Sequence, residues 1–405
     1  MSQQVNVHAS SRTEPTSVLP KEYSGVVVCA PVSTVRPRTT RRTVSWFLGS
    51  VLSQLVSRSG IGRYEIDGIV VASYGLAPDN AASLAEYFGL EPSFIMDIPY
   101  GGASGVMAMS RAARAIQAGD AEVVACMAAD IAPSGYGIYS NFSSATRDHI
   151  YPYGAGGANA TFALITANYM AERGASAESF GSICVAQRYN GARHKLSMFR
   201  KSLTMEEYLG ARVISDPLRL YDCVPRCCAG EGFLVMSEDR ARSLGLAFAR
   251  IGGVIERNAG YASDPIMRRV GISRDRERLY SQASLGPEDM DFVQAYDDYP
   301  VIVMMQLEAL GFCAEGEGHR LALEKKLTVD GDLPLNTSGG MLSLGQPGAA
   351  GGFLGLNEAI RQLTGQVLGE QVPDVRAGVV SCFGTVNYLR GLCCNAAILK
   401  EGVRS

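Results

Sequence analysis

Two stretches of this 405-residue chain share one design, and that repetition constrains the fold more tightly than any other feature of the sequence. The first, GGASGVMAMSRAARAIQAG (101–119), is a tight glycine corner feeding an alanine-rich helix that ends on Gly119. The second, NTSGGMLSLGQPGAAGGFLGLNEAIRQLTG (336–365), is again a glycine corner opening a helix, and it ends on Gly365. Each helix carries an apolar stripe at helical spacing: Met109, Ala112, Ala113 and Ile116 in one, Phe353, Leu356, Ile360 and Leu363 in the other. Each is followed by a run, EVVACMAAD or AGVVSCFG, apolar enough for a strand covered on both faces. The chain therefore reads as a tandem duplication of one α/β unit. Two such units sharing a core would bring both glycine corners to their common axis.

The rest of the chain fits around that plan. YSGVVVCAPVS and IDGIVVASYG are short β-branched runs, with a helical stretch, TVSWFLGSVLSQLVSRSGI, between them. Residues 1–22 form a polar tail expected to be disordered, and 23–135 the first half, completed by roughly 155–170. From 136 to 240 the pattern loosens into aromatic and glycine-rich stretches that read as an inserted loop domain. The α/β alternation resumes over 241–405, in FARIGGVIERNAGY and MDFVQAYDDYPVIVMMQLEALGF. A hydrophobic fraction of 47% and a net charge of only -3 argue against disorder and against an electrostatic hold on nucleic acid. The ten cysteines lie mostly in apolar runs, as in a reduced cytoplasmic chain, and CVPRCC lacks the paired CxxC halves of a zinc site, so no metal is expected. No run approaches the ~20 apolar residues of a membrane span.

Five motifs in order carry a family resemblance. NTSGGMLSLGQPGAAGG resembles the thiolase signature in which Asn, two glycines and Gly-His-Pro precede a glycine-rich helix start. GGASG resembles the Cys-Ala-Ser-Gly corner, and SCFG the Cys-x-Gly loop with the second cysteine. QAYDDYPVIVMMQLEALGFCAEGEG, with DPLRLYDCVPRCCAGEG before it, is similar to the sterol-carrier-protein-type branch. The likeness spans about residues 24–400. It implies the thiolase fold, two duplicated α/β units in a layered αβαβα body with an inserted loop domain.

The departures direct the functional reading. Where the family has its nucleophilic cysteine this chain has Gly102, and where it has the histidine of Gly-His-Pro it has Gln346. Glycine has no side chain and glutamine does not titrate near neutral pH, so a covalent acyl-enzyme at this corner is excluded. The resemblance implies that backbone amides at Gly102 and Gly384 still form an oxyanion pocket, and that Gln346 and Tyr296 line a second one. Such a site suits retro-aldol cleavage of a β-hydroxyacyl-CoA, or the reverse addition, which needs a base, donors for an enolate and an acid, but no thioester to the protein. Thiolase-like aldolases that cut steroid side chains are a branch with this logic. Tyr296 leads as the acid–base residue, with Tyr299 or Tyr388 as second. Its phenol would need a lowered pKa to serve as a base, or would act first as an acid. Cys382 matches the family's proton-shuttling cysteine.

Each assignment has a plainer rival. Tyr296 and Tyr299 lie where Pro300 opens a helix, a common place for packing tyrosines, and at least one of Asp297 and Asp298 reads as a helix cap. Cys382 by itself reads as a buried thiol at a strand end. Ser104, His149 in TRDHIYPYG, Arg193 and Arg200 are candidates for contact with substrate or the CoA phosphates, His194 and Lys195 lying in the same basic run; a solvated helix face explains that run equally well. Two alternatives to the lyase remain open: a non-catalytic subunit that binds CoA or a partner, and an acyltransferase using Cys382. No cofactor is expected beyond coenzyme A as part of the substrate. The family implies a homodimer and a small partner subunit with an OB-fold and a zinc ribbon.

Overall fold

A computed structural model of the chain describes residues 22–132, 148–387 and 389–404. The first half contributes β1 (Val26–Ser33), β2 (Gly68–Ala72), β3 (Phe94–Asp97) and β4 (Val123–Asp130), with principal helices α1 (Val44–Ser59), α2 (Ala81–Phe88) and α3 (Ser104–Ala118). Next come α4 (Gly157–Arg173), α5 (Ala177–Ala192) and a small hairpin, β5 (Val213–Ser215) with β6 (Leu218–Arg219). The remainder supplies β7 (Ala229–Ser237), β8 (Phe248–Asn258), α6 (Arg276–Ala283), β9 (Phe292–Ala295), α7 (Pro300–Leu310), α8 (Gly340–Leu344), α9 (Gly351–Thr364), β10 (Ala377–Asn387) and β11 (Arg390–Val403).

Nine strands hydrogen-bond in the order β3-β2-β4-β7-β1-β8-β11-β10-β9. The order is nearly symmetric about the β1–β8 pair, which is antiparallel with Val28 opposite Ala249. On either side of it run antiparallel ladders, β1–β7–β4 and β8–β11–β10, and each ends in a parallel pair, β4–β2 and β10–β9. Helix α3 precedes β4 as α9 precedes β10. Where the first half has β3, the second has a single parallel bridge, Val293 to Leu335. The duplication legible in the sequence is thus the symmetry of the sheet.

The helices α3 and α9 lie side by side, packed on strands of both halves, and α1 and α6 cover the outer faces. The result is the layered αβαβα body of the thiolase fold. Of the predicted stripes, Met109, Ala112, Ala113, Phe353, Leu356, Ile360 and Leu363 are fully buried, and Ile116 packs on the same core. Both helices end in left-handed glycines, Gly119 and Gly365, as their caps require. The helices meet through glycine: a β-carbon on Gly105 would lie 2.1 Å from the Gly352 carbonyl oxygen, and one on Gly352 would lie 2.6 Å from that of Gly102. Nearby, Glu231 of β7 pairs with Arg36 and accepts hydrogen bonds from Ser33 (2.5 Å) and from Asn357 of α9 (2.6 Å), tying one half to the other.

Two expected boundaries are corrected. Residues 155–170 do not complete the first half; they lie largely in α4, and β7, placed by the sequence reading inside the insertion, is the strand between β4 and β1. Phe162, Ile165, Tyr169, Phe180 and Ile183 of α4 and α5 join the core of the second half beneath α7, so the inserted segment packs on that half. A buried strand that opens on the consecutive Gly230, Glu231 and Gly232 before its apolar run is hard to recognise without its neighbours. Among the described residues no helix is long and apolar enough to cross a membrane.

Candidate active site

The C-terminal ends of β2, β4, β9 and β10 converge on the first turns of α3 and α9, where an α/β sheet commonly places its site. Both glycines of the first corner make room for tyrosines. A β-carbon on Gly102 would lie 2.1 Å from Cε2 and 2.2 Å from Cζ of Tyr296, and 2.2 Å from the Phe383 carbonyl oxygen. One on Gly101, whose φ is +54°, would lie 1.8 Å from the Tyr74 hydroxyl oxygen. The space of a nucleophilic side chain at position 102 is filled by the Tyr296 ring. Gly384 packs on the same corner, its β-carbon position 2.6 Å from the Ala103 amide nitrogen.

Tyr296 is held at both ends. Its amide donates to the Ser381 carbonyl (3.0 Å) and to Oε1 of Gln306 (3.2 Å), while Nε2 of the fully buried Gln306 donates to the Tyr296 carbonyl (2.7 Å). At the far end the phenol donates to Oδ2 of Asp298 (2.9 Å). Gln346 closes the triangle, Nε2 donating to the Tyr296 hydroxyl (2.8 Å) and to Oδ1 of Asp298 (2.7 Å). The segment carrying Gln346 is pinned through its backbone: its amide donates to the Pro225 carbonyl (2.8 Å) and its carbonyl accepts from the Cys227 amide (3.2 Å). The CVPRCC stretch thereby brackets Gln346.

The electrostatics sort these groups. Burial, reinforced by the neighbouring Asp298, pushes the Tyr296 phenol well above its ordinary pKa, so it stays protonated; the lowered pKa needed for a free phenolate base is not found. Burial raises Asp298 to about 6, against the hydrogen bonds from Tyr296 and Gln346 that favour its charged form. Asp297 is pushed up to about 7, again by burial, and is the helix cap of the pair: it accepts from the amides of Met341 (2.9 Å) and Leu342 (3.1 Å) at the start of α8. Asp298 caps nothing.

The other sequence candidates fall in varied places. Cys382 faces a cavity of ≈ 10 Å³, room for about one water, lined also by Tyr296, Gly340, Met341 and Gly352. Its thiol points at the Gly352 carbonyl (3.5 Å) and burial raises it to about 12, so it is a neutral thiol, not a nucleophile in waiting. Tyr299 stacks on Phe162 and donates to Oδ1 of Asn159 (2.6 Å), fastening α4 beside the site. Ser104 is buried and both its hydrogen bonds are to backbone, donating to Ile98 and accepting from Tyr100, which removes it from substrate contact. Arg193 pairs with Glu370 and stacks on Tyr189, and Arg200 donates to the Lys195 carbonyl. The basic run is not a uniform charged face, because His194 is buried and depressed to about 3 by desolvation and by Arg361 and Arg36. His149 lies on the surface. Tyr388 falls outside the described residues.

Three members of the site escaped the sequence reading. Tyr74 follows β2, and its phenol is pushed up by burial, by Asp130 and by Asp298. Asp130, at the end of β4, gathers the corner by accepting from Ser73 Oγ (2.8 Å), the Gly75 amide (2.8 Å) and the Ala349 amide (2.7 Å). Gln306 lies one helix away from the residue it grips. Tyr74 and Asp130 stand at ends of parallel strands, a position that could have marked them; Gln306 carries no such signal.

Comparison with known proteins places the chain among relatives of similar sequence and fold. Residues 257–390 match the thiolase C-terminal domain-like family. The chain is 30% identical over 334 residues to a steroid side-chain-cleaving aldolase of Thermomonospora curvata, covering 76% of this chain and 83% of the relative. It is 30% identical over 328 residues to the 17-hydroxy-3-oxo-4-pregnene-20-carboxyl-CoA lyase of Mycobacterium tuberculosis, with the same coverages. Among solved structures it resembles the Ltp2-ChsH2(DUF35) aldolase, at 25% identity and a TM-score of 0.79, over 93% of this chain and 98% of that one.

Proposed function

We propose that this chain, which belongs to the thiolase superfamily in its sterol-carrier-protein-type branch of thiolase-like proteins, is a CoA-thioester carbon–carbon lyase of the aldolase kind that forms no covalent acyl-enzyme. The observation that carries the reading is the Tyr296 ring in the β-carbon space of Gly102. The corner has exchanged a thioester-forming side chain for a fixed proton donor. Amides at Gly102, in a first helical turn where N–H groups have no intrahelical acceptor, and at Gly384 would hold the thioester oxygen as it becomes an enolate. Tyr296 and Gln346 would face the β-hydroxyl of the substrate. Cleavage then releases a ketone or aldehyde and a shortened acyl-CoA. The high pKa of the buried Cys382 thiol argues against the acyltransferase alternative. Two further points rest on the relatives alone: a small partner subunit, suggested by the composition of the solved aldolase, and a homodimer, as the family implies.

The test offers β-hydroxyacyl-CoA and β-ketoacyl-CoA substrates to the protein with its partner subunit and follows a released carbonyl compound against thiolysis. Aldol cleavage that falls by ~10²-fold or more in Tyr296→Phe but survives in Cys382→Ala is expected, the size being that of a lost general acid–base group. Tight CoA binding with no cleavage of either substrate overturns the lyase in favour of a binding subunit.

A further inference from the structure

From the closed triangle of hydrogen bonds at the substrate corner, we infer that Asp298 is the proton acceptor of the reaction, taking through the Tyr296 hydroxyl the proton that the substrate's β-hydroxyl gives up. The inference rests on the lyase reading above and assigns the base that reading lacks. Tyr296 is a phenol with its own proton committed to Oδ2 of Asp298, so it accepts a second proton only if the first moves on. Among the described residues Asp298 is the carboxylate bonded to that hydroxyl, and it is half-buried, whereas its neighbour Asp297 is buried and engaged on α8. Gln346 holds phenol and carboxylate together with one amide nitrogen, so the pair moves as a unit.

The step balances without another reactant. As the C2–C3 bond breaks, its electron pair moves to C2 and the thioester oxygen; the hydroxyl oxygen becomes the carbonyl of the leaving ketone or aldehyde. Its proton passes to the Tyr296 oxygen while the phenolic proton passes to Oδ2. Return along the same path delivers a proton to C2, giving the shortened acyl-CoA and restoring the carboxylate. The titratable groups around Asp298 are Tyr296 and Asp297 on its own segment, Tyr299 at the start of α7 and Tyr74 after β2. The tyrosines stay neutral through the working range. Burial, the leading cause, places the Asp298 midpoint at about 6.

Because Asp298 acts through Tyr296 it is a positioning residue, and its test must separate chemistry from shape. With the partner subunit present and a β-hydroxyacyl-CoA as substrate, kcat/KM of the wild type should rise with pH through about 6, where the carboxylate forms. Asp298→Asn should lower kcat by ~10²-fold or more with KM nearly unmoved, the loss expected of a general base, and should remove that rise. Asp298→Glu should regain part of kcat and show a rise again. The Asn variant should melt no lower than wild type at pH 8, because it discards a charge that its surroundings disfavour. If wild type cleaves but Asp298→Asn keeps kcat within threefold, or keeps the same pH rise, the role of Asp298 is overturned and the lyase stands. If Asp298→Asn melts much lower than wild type and Asp298→Glu recovers stability without kcat, the residue is structural only, and the inference again falls alone. Absence of cleavage by wild type overturns the lyase reading and, with it, this role.

Discussion

At position 102 a side chain has nowhere to go. The Tyr296 ring and the Phe383 carbonyl both occupy its β-carbon space, so the loss of a nucleophile there and the presence of a tyrosine at 296 are two faces of one packing solution. Gly102→Cys should therefore not restore thiolysis. It should destabilise the protein by ~1–3 kcal/mol, the usual cost of overpacking, and push Tyr296 away from Gln346, abolishing lyase activity; urea unfolding and a cleavage assay check both. Asp298 carries a second consequence at this scale. Its folded pKa of about 6 lies above the ordinary carboxylate value, so the native state binds the proton more tightly and loses stability as pH climbs from about 4 through 6. Melting temperatures of wild type and Asp298→Asn should converge at or below about pH 4, where the carboxyl is protonated in both states, and separate by pH 8, with the variant higher.

Among the elements, the short helix α8 matters most to the site. Gln346 follows it by two residues, and Asp297 fixes its first turn from the end of β9. One strand end thus supplies Tyr296 and Asp298 to the proposed site and Asp297 to the helix that brings Gln346 to meet them. Asp297→Ala should cost ~1 kcal/mol or somewhat more, as for a lost cap. It should also weaken lyase activity without touching substrate, seen as a lower kcat and a lower melting temperature together. That joint loss separates it from Asp298→Asn, where the two part company. The sequence suggested that YDDY contains a cap, but not which aspartate, nor that the capped turn lies 44 residues downstream instead of at Pro300, because the answer depends on the end of β9 meeting the first turn of α8.

Across the whole molecule, the two halves are joined by a sheet that passes from β1 to β8 and by the glycine contact of α3 with α9. They are also joined by the buried group of Arg36, Glu231, Asn357 and Ser33, with Arg361 donating to Ser33 (2.8 Å). Glu231 is fully buried and compensates two arginines. Glu231→Ala should destabilise the protein by ~3–5 kcal/mol, the penalty for stranding a buried partner charge, measurable as a fall in the urea midpoint. Since β7 carries Glu231, the sequence reading that put this strand in the insertion hid the main polar link between the halves.

The sequence by itself determined the duplication, the two central helices and their glycine ends, the glycine at 102, the glutamine at 346 and the tyrosine at 296. All of these are written in local periodicity, in residue type and in motif order. Only the tertiary structure decided that the phenol of Tyr296 stands in the vacated space at Gly102, that Asp297 caps while Asp298 holds the phenol, and that Tyr74, Asp130 and Gln306 belong to the site. Only it showed Cys382 to be a sealed thiol and Ser104 a backbone tie. The physical reason is common to them: which neighbour desolvates a group, and which donor reaches it, is set by strands and helices distant in the chain, and no local pattern records that proximity.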